Sequence, residues 1–266
     1  MFVHRVLGVA AALTLSCAVA PAGAATAAQD EQARSGVEKP SVVKTHGPRA
    51  HGPESAVLDT VVAHRPSARA SFAPYPMTMR SYLRYVGSDV NAFWSAAFSG
   101  AGMPYKPARQ YALSRRQRVR TACGIGTSAD GAFYCRNKVV LSVPWLTRHA
   151  YQDSRDFAVA IVVAHEWAHH AQQLDGILAA QRKGQLLSIH VELQADCLAG
   201  VWANSVYHRG MLDDGDFEEA VALAQEFQDA PGTPFDDPAA HGTAQQRVEW
   251  LLYGYETGSG ADCTTW

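Results

Sequence analysis

The sequence predicts an α+β domain, mainly helical, with a small β-sheet or hairpin ahead of its central helix. Three observations predict it. From Met77 the apolar residues fall at helical spacing, from about 109 to 146 the chain turns aromatic and β-branched, and beyond 155 every strong period is helical. An order of helix, strands and then helices, with no internal repeat, is that of an α+β fold. At 266 residues and 47% hydrophobic, the chain can bury one sizeable core and still leave residues over. A formal net charge of −2 favours neither nucleic acid nor an anionic membrane as partner.

The N-terminus reads as a secretory signal peptide over residues 1–24. "MFVHR" is basic, "VLGVAAALTLSCAVA" is apolar but short for a membrane span, and "AGA" at 22–24 offers small residues for cleavage. The alternative is an uncleaved segment anchoring the protein to the cell envelope. Cys17 falls within this peptide. Residues 25–76 are rich in Ala, Pro, Ser and Gly and keep no apolar period, so they read as a disordered linker or pro-segment. The expected mature product is a secreted protein with one folded domain over 77–266 and no stable membrane insertion.

Within that domain, Leu83, Val86, Val90, Phe93, Trp94 and Phe98 mark one face of a helix that Gly100 and Gly102 stop. The basic run "SRRQRVR" at 114–120 reads as a solvated strand or loop. "AFYCRNKVVLSVPWL" reads as strands, with Pro144 closing the last. Four cysteines remain after the signal peptide, and an even number in an exported chain suggests two disulfides out of three possible pairings. Cys123 with Cys135 would staple a hairpin, and Cys197 with Cys263 would tie a central helix to the C-terminal tail; the alternative is buried free thiols.

"FAVAIVVAHEWAHH" at 157–170 is an almost wholly apolar helix that carries two histidines four apart with a glutamate after the first. On a helix, His165 and His169 share one face and can aim at one ion. Glu166 is turned about 100° around the axis, within reach of water beside that ion but not of the ion itself. Chance would produce H-E-x-x-H in roughly 2% of chains of this composition, so the pattern alone is a moderate signal. Its context strengthens it. Imidazoles and a carboxylate buried without partners would cost on the order of several kcal/mol, and a zinc ion supplies those partners.

A hydrolytic zinc site needs a third protein ligand and an open fourth position. Glu192 and Asp196 lie four apart on a later helix, separated from the first by breaks at Gly176 and Gly184. Glu192 is the expected ligand, and Asp196 the acceptor for a ligand imidazole N–H. His170 and His190 are rival ligands. Near the C-terminus, Thr243 and Gln246 fit a capping box, which places His241 in the loop entering a helix with Arg247 one turn inside. His241, with Arg247 beside it, could donate hydrogen bonds to an oxyanion; alternatively Arg247 stands with Asp196 behind the metal ligands.

"HEWAHHAQ", "ELQADCLAGVW" and "HGTAQQRVEW", with "CG…FYC" ahead of them, resemble the bacterial putative neutral zinc metallopeptidase family, from about Met77 to the C-terminus. The pattern is also similar to the wider gluzincin class. The resemblance implies a zincin-like fold and a Zn2+ ion on His165, His169 and Glu192. It further implies Glu166 as catalytic base, Asp196 in support of a ligand, His241 assisting the transition state, and a peptide or protein substrate. Two departures stand out: Ala168 replaces a frequent glycine, and "FQDAPG" at 227–232 replaces an acidic segment. The rival reading is a non-catalytic envelope module with a structural or regulatory metal, whose fourth position another Cys or His would close. The strand around "KVVLSV" is expected to lie beside the cleft and pair with an extended substrate.

Overall fold

The computed structural model describes residues 77–149 and 156–264. The signal peptide, the linker and Cys17 all lie outside these. The first helix, α1 (Met79–Gly100), begins where the Thr78 side chain accepts the Ser81 N–H, and it buries Leu83, Val86, Val90, Trp94 and Phe98 along the expected face. Gly102, at φ +66°, turns the chain out of it.

Five short strands follow: β1 (Arg109–Leu113), β2 (Arg118–Thr121), β3 (Gly124–Thr127), β4 (Ala132–Cys135) and β5 (Lys138–Ser142). They form two sheets. One has the order β1-β5-β4, with β1 parallel and β4 antiparallel to β5, and the other is the β2-β3 hairpin. The basic run occupies the turn before β2 and β2 itself; Arg115, Arg116, Arg118 and Arg120 are all exposed, as a solvated face should be. Pro144 does close the last strand, but a helix follows at once. It falls in the first turn of α2 (Val143–His149), where its missing N–H costs nothing.

The central helix is α3 (Asp156–Asp175). Phe157, Ala158, Val159, Ala160, Val163, Ala164 and Ala168 are essentially inaccessible, because α1, α5, α6 and the sheet surround it. Gly176, at φ +91°, breaks the chain into the short α4 (Ile177–Arg182), and α5 (Ser188–His208) follows. Then come α6 (Asp216–Glu226), α7 (Ala244–Thr257) and a 3-10 turn at Gly260–Cys263. The capping box at the start of α7 is present, and Val248, Leu251, Leu252 and Tyr255 are buried on its inner face. The fold is α+β and mainly helical.

Both disulfides form. Cys197–Cys263 ties α5 to the 3-10 turn across 66 residues, as expected. Cys123–Cys135 does not staple one hairpin. β3 and β4, which lie between the two cysteines, belong to different sheets, so the bridge joins the β2–β3 turn to the end of β4 and links the sheets to each other. The sequence concealed this because the residues between the cysteines hold two half-hairpins rather than one turn. The true hairpin turn after Cys135 is Arg136-Asn137, both at positive φ, as a two-residue hairpin turn requires.

Helices α5 and α7 cross at backbone contact. A Cβ built on Gly254 would sit 1.8 Å from the Cys197 carbonyl oxygen, and one on Gly200 would sit 2.1 Å from the Leu251 carbonyl oxygen. Both neighbours are main chain, so neither can rotate aside. Gly254→Ala should therefore force the helices apart, destabilising the protein by about 1–3 kcal/mol or more by overpacking. Urea unfolding of the chelator-treated protein measures this, and a loss below the scatter of exposed Gly→Ala changes would contradict the crossing.

Candidate metal centre

The two helices that carry the histidines and acids meet at one point. Glu192 Oε2, from the first half of α5, lies 3.2 Å from His165 Nε2 and 3.4 Å from His169 Nε2, both on α3. All three donor atoms are within 4.8 Å of one another. Zinc bonds of about 2.0–2.2 Å in tetrahedral array place neighbouring donors about 3.3–3.5 Å apart. The two His–Glu separations fit that spacing, and two neutral imidazoles with one carboxylate are a donor set that suits zinc.

Each histidine is oriented from behind. His165 Nδ1 donates to Asp196 Oδ1 at 2.9 Å. His169 Nδ1 donates to Gln172 Oε1 at 2.8 Å, and Gln172 in turn donates to the Val191 carbonyl and to Gln194 Oε1. These contacts fix the tautomer that leaves both Nε2 atoms for an ion. Asp196 was expected in this place. Gln172 and Gln194 were not, because a glutamine three residues along a helix carries no signal until the facing helix is present.

Arg247 grips Asp196 with two bonds, Nε to Oδ2 at 2.8 Å and Nη2 to Oδ1 at 2.9 Å, while Nη1 donates to the Phe227 carbonyl at 2.7 Å. The guanidinium is thus held by Asp196 and the main chain. It supports His165 through Asp196 instead of sharing an oxyanion with His241, the other role the sequence allowed it. The rival ligands stand apart. His170 donates from Nε2 to the Lys106 carbonyl and accepts the Tyr134 hydroxyl at Nδ1, and the His190 ring packs on Phe235.

Electrostatics follow from burial and these pairings. Burial by itself disfavours a charged His165, but Asp196 and Glu192 outweigh it and push its pKa up to about 10. Burial would raise Glu192, yet His169 and His165 hold it well below the usual carboxylate range. The site therefore retains positive charge, which a divalent cation can supply once the imidazoles give up their protons. Glu166 runs the other way: burial raises it, only partly offset by the two histidines. A buried carboxylate with raised pKa, beside a cation site, suits proton transfer.

These groups line a cavity of about 570 Å³. Glu166 and His241 face it, as do residues 129–134. His241 is half-exposed, and Asp229 holds its loop: Asp229 Oδ2 accepts the main-chain N–H groups of His241 and Gly242 at 2.8 and 2.7 Å, and Oδ1 lies 3.5 Å from His241 Nδ1. Asp229 belongs to "FQDAPG", so that segment retains an acid with a defined task. Sequence gave no reason to join it to His241, twelve residues on. β5 is not beside the cleft with a free edge, because β1 and β4 occupy both its sides; of these two edge strands, β4 has residues that line the cavity.

Two histidines and a carboxylate converging on one cavity of an α+β protein are a donor set that could hold a divalent metal. Residues 58–266 match the family described as "Putative neutral zinc metallopeptidase", and the chain belongs to that family. It is 36% identical over 194 residues to "Uncharacterized protein YpfJ" of Escherichia coli (strain K12), covering 65% of this chain and 66% of the relative. It is 30% identical over 213 residues to "Uncharacterized protein Rv2575" of Mycobacterium tuberculosis (strain ATCC 25618 / H37Rv), covering 67% and 68%. The chain thus spans about two thirds of the length of these relatives. No solved structure matches it.

The Asp196–Arg247 pair makes a pH prediction. Burial would raise Asp196, but Arg247 and then His165 depress it to about 2, below its unfolded value of about 3.9. Its contribution is therefore fully present above about pH 4 and lost as pH falls toward 2. Arg247→Met leaves a buried carboxylate with His165 alone. The variant should lose stability at pH 7, toward the lower end of the roughly 3–5 kcal/mol typical of breaking a buried pair. Denaturant titrations of both chelator-treated proteins should show that gap narrowing below pH 4; a gap independent of pH would refute the assignment.

Proposed function

We propose that this protein is a secreted zinc-dependent peptidase of the zincin type, with His165, His169 and Glu192 as metal ligands and Glu166 as general base. The observation that carries the reading is the meeting of His165 Nε2, His169 Nε2 and Glu192 Oε2 at the foot of a cavity that Glu166 also lines. Zinc, when bound there, supplies Lewis acidity toward a carbonyl and makes a water more acidic. Glu166 accepts the water's proton and passes it to the leaving amine, a role its raised pKa favours. His241 Nδ1 lies 3.5 Å from Asp229 Oδ1, and with both ring nitrogens protonated beside that carboxylate its Nε2–H donates to an oxyanion. The free edge of β4 receives the peptide as an added strand, reading backbone more than side chains.

A non-catalytic module would close its metal site with a further Cys or His. The four cysteines among the described residues are all bridged, and His170 and His190 are held elsewhere, which favours the open, hydrolytic site. Export is part of the proposal. The two disulfides suit an oxidising compartment, and among the described residues no helix is long and apolar enough to cross a membrane. N-terminal sequencing of protein from culture medium should begin near Ala25; Met1 retained on membrane-bound material would overturn secretion.

Two substitutions separate binding from chemistry. Glu166→Gln keeps shape and volume but cannot take a proton, so zinc content should remain near one per chain while peptide turnover falls about 10²–10⁴-fold. Glu192→Gln offers a poorer ligand, so metal and activity should be lost together. Metal analysis beside a peptide digest reads both. Zinc lost from the Glu166 variant but kept in the Glu192 variant would reverse the roles, and unaffected cleavage in both would end the peptidase reading.

A further inference from the structure

Past the metal ligands, the same stripe of α3 runs into a second hollow. His165, His169 and Gln173 are four apart on one face, so Gln173 stands about 6 Å along the helix beyond His169. This hollow, of about 500 Å³, is lined by Gln173, by Arg136, Asn137 and Lys138 around the β4–β5 turn, by Arg182 at the end of α4 and by Ala122 in the β2–β3 turn. The Cys123–Cys135 bridge joins the two turns, so these walls are cross-linked. Tyr134 connects the hollow to the metal cavity: it lines that cavity, and its hydroxyl accepts the Asn137 N–H at 2.7 Å. Burial pushes the hydroxyl's pKa up, and the Asn137 bond and then the Arg182 charge oppose it, which sets Arg182 beside β4. Three cations thus face one hollow that no acid lines. Between 106 and 138 the chain carries eight lysines and arginines against Asp130 alone, in a protein of net charge −2. Lys138 Nζ donates to the Arg120 carbonyl at 2.5 Å, but Arg136 and Arg182 are exposed and engage no acid among the described residues. Arg136 also holds φ +36° in a turn position that Asn, Asp or Gly would occupy with less strain. A solvated face does not require an arginine there, whereas a ligand that uses its charge does.

We propose that this hollow is a subsite for an acidic side chain of the substrate, about three or four residues to one side of the cut bond, with Arg136 and Arg182 recognising it. The inference rests on the peptidase reading and names the substrate class for it, a peptide segment carrying Asp or Glu. An extended chain laid along β4 covers the step from Phe133 to Arg136 in about three residues, roughly 10 Å. A carboxylate arriving there meets guanidinium forks, which hold such an anion through paired N–H groups more strongly than neutral hydrogen bonds do. It also relieves the repulsion among three like charges.

The test uses the zinc-loaded full chain and reads binding as well as cleavage. With Glu166→Gln to keep peptide uncut, fluorescence anisotropy should show a labelled peptide of alternating Glu and Ala binding at least about tenfold tighter than its Gln counterpart, less so as salt is added. Arg182→Glu should remove most of that advantage while metal analysis still finds zinc. Arg136→Gly, which suits the positive φ, provides a second variant if the first does not fold, and should weaken the advantage too. Arg136→Glu combined with Arg182→Glu should turn the preference toward a peptide of alternating Lys and Ala, which a change of fold alone would not do. With Glu166 in place, mass spectrometry of a digested peptide library should find Asp or Glu about three or four residues from the cut bonds. Equal binding of the Glu and Gln peptides overturns the subsite. So does an advantage that survives these substitutions, since the carboxylate would then sit on the metal or elsewhere. Cleavage without acidic preference overturns it too and leaves the peptidase reading standing. Charge-dependent binding with no peptide cut ends the peptidase reading and leaves an acidic-peptide site, and neither binding nor cleavage overturns both.

Discussion

A buried ion pair between Arg247 and Asp196 joins most of what the site needs. Asp196 is on α5 and Arg247 on α7; Asp196 also accepts His165 from α3, and Arg247 reaches the carbonyl of Phe227 just past α6. Three helices and the chain leaving a fourth therefore meet through two side chains. A carboxylate in that position would be costly alone, and the bidentate guanidinium is the geometry that best compensates it. Because Asp196 fixes His165, the same pair that stabilises the packing also aims the nitrogen proposed to bind the metal.

That pair could not form unless α5 and α7 lay very close. Gly200 and Gly254 allow it by removing the side chains that would strike the opposite main chain, and the Cys197–Cys263 bridge holds the same crossing from the C-terminal side. The site thus stands on closely packed helices. Gln172 and Gln194 extend the pattern to His169: both are buried, and each finds its partner across the α3–α5 interface.

The opposite side of the cavity is built from shorter pieces. The edge strand β4 is tied to the β2–β3 turn by Cys123–Cys135 and to α3 by the Tyr134–His170 contact. Asp229 pins the loop carrying His241. A cleft with a rigid helical floor and a cross-linked strand along one rim can hold an extended chain against fixed chemistry, which is the arrangement the proposed activity requires.

The sequence by itself determined the helices and the pair of ligand-bearing motifs. Apolar spacing defines α1, α3, α5 and α7, and the four-residue intervals His165–His169 and Glu192–Asp196 place each pair on one face, because helical periodicity is a local property. The capping box at Thr243 was legible for the same reason. What only the tertiary structure decided were contacts between segments that are distant in sequence. These include Arg247 on Asp196, Gln172 on Gln194, Asp229 on the His241 loop, the exposed edge falling to β4 rather than β5, and Cys123–Cys135 joining two sheets. A side chain's partner across a helix interface depends on crossing angle and register, and a strand's neighbours depend on pairing order. Neither is written in a local period, so those assignments had to wait for the packed molecule.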